Sequence, residues 1–144
     1  MHIRQAIRDN IKTTLTGLSV TGDRVYVNRL YPFLQQVSNG ILIYTESEST
    51  EYLTMGRPRS QERSLTIKVE IYVKSKGSMD NILDDISLEI EHALYNDPTR
   101  GGVATDTMVM NFDPDFSGDG DSPVGVGILD VVVKYNCVEN ALGA

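Results

Sequence analysis

The chain has 144 residues, with 20 Asp and Glu against 13 Lys and Arg and a net charge of −7. This argues against a dedicated nucleic-acid binder, which needs surplus cations to neutralise phosphates. One Cys excludes an intrachain disulfide and a Cys-rich zinc site, and two His leave little for metal or acid–base chemistry.

The length suits one domain, read as 1–144. His2 to Leu18 predicts a helix, because Ile3, Ile7, Ile11 and Leu15 recur every four residues and Gly17 and Gly22 punctuate its end. Arg4, Arg8 and Lys12 form a second row at the same spacing, either a solvated face or a contact row for an acidic partner. Arg24 to Tyr31, rich in Val and Tyr and stopped by Pro32, predicts a strand. Ser38-Asn39-Gly40 is a turn signal, and Ile41 to Thr45 follows as a short central strand.

Apolar periodicity then stops. Glu46 to Ser64 opens acidic with Glu46, Glu48 and Glu51 and closes basic with Arg57, Arg59 and Arg63, around Gly56 and Pro58. It reads as a long loop, and loops of that length are uncommon without a task, so an interaction surface is expected here. From Leu65 to Lys74 apolar and polar residues alternate, which predicts a strand with one buried face in a sheet covered on one side.

Ser78 is placed to cap a helix whose first turns carry Asp80, Asp84 and Asp85. Met79, Ile82, Leu83, Ile86, Ile90, Ala93 and Leu94 trace its apolar face, Leu88 falls outside it, and Asp97-Pro98 ends it near Tyr95. Met108, Met110 and Phe112 give another strand, and Phe112 to Ser122 reads as a Gly/Asp/Pro loop. Val124 to Tyr135 is the last strand, where Gly125 and Gly127 mark a bulge or a close backbone approach. The tail 136–144 is small and polar and is expected to be poorly tied unless a neighbour holds it. The order predicts an α+β two-layer sandwich: a mixed, mostly antiparallel sheet of four to five strands with two main helices on one face.

Asp113, Asp115, Ser117, Asp119 and Asp121 overlay the odd positions of a calcium-binding loop, with Gly118 at the turn. Val124 stands where that loop needs a bidentate carboxylate, so a tight solvated hairpin is the stronger reading. Asp84, Asp85, Glu89 and Glu91 lie off the apolar stripe, and His92 has no nucleophile motif beside it. No Gly-rich phosphate loop is present, so no enzyme or cofactor is expected. With no apolar run long enough to span a bilayer and no signal peptide at its start, the chain is expected in a reducing cytoplasm, away from membranes.

Taken in order, these segments resemble the tail terminator proteins of long-tailed phages, the group typified by the lambda tail protein U. The resemblance rests on Arg4-Gln5-Ala6-Ile7-Arg8-Asp9, on Val25 to Pro32, on Leu65 to Lys74, on Asp84-Asp85-Ile86 to Glu91, and on Ser117 to Gly125. It implies a structural virion protein, assembled in the host cytoplasm, that forms a hexameric ring on the head-proximal end of the tail tube. Such a ring ends tube polymerisation, meets the head–tail connector and lets DNA through its lumen without gripping it. Another neck, head-completion or tail-completion adaptor of related fold is the alternative, and a calcium-binding module a distant one. For the interface, the expectation falls on the 46–64 segment, above all Arg57, Arg59 and Arg63 with Glu46, Glu48 and Glu51, together with Arg4, Arg8 and Lys12.

Overall fold

The computed structural model describes residues 1–27, 39–75, 77–117 and 124–144. In chain order these form helix α1 (Ile3–Leu15), strands β1 (Val25–Tyr26), β2 (Asn39–Tyr52) and β3 (Ser60–Lys74), helix α2 (Met79–Tyr95), and strands β4 (Asp106–Ser117) and β5 (Val124–Val138). The strands make one open sheet in the order β1-β2-β3-β5-β4. β1 runs parallel to β2, and the other neighbouring pairs are antiparallel. This is the expected α+β fold with a mixed sheet. No helix among the described residues is long and apolar enough to cross a membrane.

The helices form the second layer. The four-residue stripe of α1 buries Ile7, Ile11 and Leu15 completely, and each contributes roughly 1.5–3 kcal/mol of gross burial. His2 caps this helix, its Nδ1 accepting from the Arg4 amide at 3.1 Å. Burial first, then the Arg4 guanidinium, hold the His2 imidazole below its ordinary pKa, which keeps that lone pair available. On α2, Leu83, Ile86, Ile90 and Leu94 face the sheet, while Leu88 is exposed. Beneath them lie Leu65, Ile67, Val69, Ile71 and Val73 of β3 and Leu129, Val131, Val133 and Tyr135 of β5.

Four expectations change. Residues 46–64 are not a long loop: β2 continues to Tyr52 and β3 starts at Ser60, paired from Glu48↔Leu65 out to Tyr52↔Gln61. The arms read as loop because no aliphatic residues mark them. Past Ile43 and Leu65 the apolar core gives way to ion pairs, so alternating Ser, Thr and Glu suffices for a strand. β4 likewise runs through Ser117, so the supposed loop from Phe112 is strand at least that far. Gly125 and Gly127 mark no bulge, since β5 pairs with both neighbours in continuous register there. They make room for aromatic rings of β4: an added Cβ would lie 3.3 Å from Phe116 at Gly125 and 2.8 Å from Phe112 at Gly127.

The tail, fourth, is held by its own chain. The Ile3 amide donates to the Leu142 carbonyl at 2.9 Å, and the Ala144 amide donates to the Met1 carbonyl at 2.9 Å. The expected strand over Arg24–Tyr31 is seen at Val25–Tyr26; its part from Asn28 onward lies outside the described residues.

Candidate interaction surface

A β-bulge determines what the hairpin presents. The β2–β3 register shifts between Thr45 and Ser47, so Glu46 is the extra residue. Before the bulge the odd residues Ile41 and Ile43 face the helices; after it the even ones do. One unpaired residue reverses the facing of everything beyond it. Glu48 thereby arrives on the helix-covered face, where it meets three partners.

Its Oε1 accepts from Arg4 Nη1 of α1 and from Arg63 Nη1 of β3, both at 2.8 Å. Its Oε2 accepts from the Tyr135 hydroxyl of β5 at 2.6 Å. The Glu48 side chain is 8% exposed, Arg63 12% and Arg4 37%. Burial pushes the Glu48 carboxyl up, but the hydrogen bonds from Tyr135, Arg4 and Arg63 outweigh it and hold the group below its ordinary pKa. Burial, then the bond to Glu48, push the Tyr135 phenol well above its usual range.

The residues expected to meet a partner are therefore divided. Arg4, Arg63 and Glu48 are spent on each other inside the chain. Arg8 donates to Thr45 Oγ1 at 2.8 Å, pinning α1 to β2. Glu46 lies 3.4 Å from Lys68, which also pairs with Asp130 at 2.6 Å. Arg59 stands over the Tyr52 ring at 5.2 Å and 3.9 Å from Glu139. Glu51, Arg57 and Lys12 are exposed. The exposed apolar surface of the hairpin is its tip: Tyr52, Leu53 and Met55, the last 94% exposed, with Arg57 beside them.

Two elements of this arrangement escaped the sequence reading. Tyr135 looked like one more core residue, although a buried phenol needs a hydrogen-bond partner. The three apolar residues at the tip carried no periodicity. Their signal was a Tyr-Leu and a Met immediately before a Gly-Arg-Pro turn.

The first part of the acidic segment is strand. Asp113 and Asp115 lie on paired, extended β4 backbone opposite Ile128 and Val126, and Ser117 pairs with Val124. A calcium loop must instead curl its alternate residues inward. Asp119 and Asp121 lie outside the described residues. Among the described residues no group of three or more His, Cys, Asp or Glu could hold a metal ion.

The molecule is thus an open, helix-backed sheet with a protruding hairpin, tied at its base by a buried carboxylate. No protein-family model matches the chain, and neither does any curated protein. Among solved structures, it is similar to a sheath/tube terminator of PVC, an extracellular contractile injection system, determined by cryo-electron microscopy in the extended state. The TM-score is 0.51 at 12% identity, covering 99% of this chain and 59% of that one. The chain thus spans well under two thirds of that protein's length, and the likeness is one of fold.

Proposed function

We propose that this chain is a tail terminator protein of the lambda U-like kind. It assembles as a ring, hexameric in this reading, on the head-proximal end of a phage-type tail tube. The observation that carries the proposal is the fold shared with a sheath/tube terminator over nearly the whole chain. Termination is then a binding event and not a reaction. The ring occupies the surface on which the next tube ring would stack, and its other face receives the head–tail connector. The protein is a tail component of the virion, assembled in the host cytoplasm. The net charge of −7 supports a lumen through which DNA passes without being held, since like charges repel.

The test is assembly in the absence of the protein. Tails of uncontrolled length that fail to join heads are expected, with control restored by adding the purified chain. Tails of normal length that join heads without it would overturn the proposal.

A further inference from the structure

Among the described residues, exposed large apolar side chains occur at two places of opposite charge. One is the β2–β3 tip, with Tyr52, Leu53 and Met55. The other is the C-terminal end of α2 beside the edge strand β4, with Tyr95 at 81% exposure and, on β4, Met110. On this second side a groove of about 320 Å³ runs between the end of α2 and β4, lined by Glu91, His92, Leu94, Tyr95, Thr107 and Val109. Leu94, Tyr95 and Val109 give it apolar surface, and Glu91 gives it a carboxylate.

The charges of the two places are opposite. Residues 53–59, Leu-Thr-Met-Gly-Arg-Pro-Arg, carry two cations and no acid; Arg59 faces Glu139, and Arg57 is exposed. Helix α2 carries no Lys or Arg, and its Glu91 lines the groove. In the order β1-β2-β3-β5-β4 the tip rises from β2 and the central strand β3, while the groove lies against the edge strand β4, both toward the C-terminal end of β5. Two different, complementary patches are what a head-to-tail contact requires, and such contacts make rings where the rotation closes. A free edge strand also needs cover, and β4 has a strand partner on one side only.

We infer that the hairpin tip of one copy seats in the α2–β4 groove of the next. Met55 and Leu53 enter between Tyr95 and Val109, and Arg57 pairs with Glu91. The occupant of the groove is a second copy of this chain. The contact rests on the ring reading above and deepens it, by naming the residues through which neighbours hold each other.

The experiment introduces Met55→Cys and Tyr95→Cys together in a Cys137→Ser background. Mild oxidation should give a ladder of covalent multimers ending at the closed ring, while either cysteine alone gives none. In parallel, Arg57→Glu should raise the concentration needed for assembly at least tenfold, as read by light scattering. Adding Glu91→Arg to the same chain should recover most of the loss. Rings that form at unchanged concentration in Arg57→Glu, with no ladder, would overturn this contact and leave the ring reading standing. A native chain that stays monomeric at every concentration would remove both.

Discussion

The carboxylate at the base of the hairpin gives the sharpest prediction. In Glu48→Ala, Arg63, 12% exposed, loses its counter-ion, and the Tyr135 hydroxyl loses its acceptor. Breaking one partner out of a buried pair costs about 3–5 kcal/mol, whereas an exposed pair is worth about 0–1 kcal/mol. The Arg63 arm lies near the buried limit. The Arg4 arm, 37% exposed, counts near the other. The expected loss is about 3 kcal/mol, which in a domain of this size lowers the melting midpoint by roughly 6–12 °C.

Thermal and urea unfolding followed by circular dichroism measure it directly. Replacing both members, Glu48→Met with Arg63→Met, should recover much of the loss, because the cost comes from the stranded charge. The same group sets a pH dependence. Its folded pKa lies below its ordinary 4.5, so its stabilisation is complete above that value and drains away as pH falls through the folded pKa. Glu48→Gln should be less stable at neutral pH and lose less on acidification. A Glu48→Ala loss below about 0.5 kcal/mol, the range of an exposed pair, would refute the reasoning.

Four further outcomes follow from the structure. Gly127→Ala should cost about 1–3 kcal/mol, because its Cβ meets the Phe112 ring at 2.8 Å and Leu83 at 3.4 Å. Gly125→Ala should cost less than Gly127→Ala in the same urea titration, since its closest contact is the movable Met79 sulfur at 2.9 Å. Arg100 is 1% exposed, and its Nη2 donates to the Leu94 carbonyl at 2.7 Å and to that of Asp97. Arg100→Ala therefore uncaps the end of α2, and a loss of about 2 kcal/mol is expected by chemical denaturation. Calcium should give only heats of dilution in calorimetry, for the native chain and for Asp113→Ala alike, because extended β4 backbone cannot curl around the ion. Saturable binding lost in the mutant would contradict this.

How far the sequence reached depended on where the apolar core lay. Ile7, Ile11 and Leu15 on α1, the alternation from Leu65 to Val73, and Leu83 to Leu94 on α2 announced themselves because each buries a face. Element order and fold class followed from these. The hairpin arms did not, because their facing is set by a bulge and ion pairs instead of by aliphatic residues. Glu48 was legible as an acid in a charged stretch. That Arg4, Arg63 and Tyr135 converge on it depends on α1, β3 and β5 lying side by side, a long-range fact with no local signature. The charged residues that looked most available are thus partly consumed in folding, and their uncharged neighbours Tyr52, Leu53 and Met55 are the ones left exposed at the tip.

The bulge at Glu46 makes the hairpin a spacer with a fixed root and an adjustable reach. Beyond the Glu48 anchor, each strand can gain or lose two residues and keep every side chain on its own face, and each such step moves the tip by roughly 7 Å. A step of one residue turns the whole arm over. Hairpin length in chains of this architecture should therefore change in pairs, with the anchor at its base left alone.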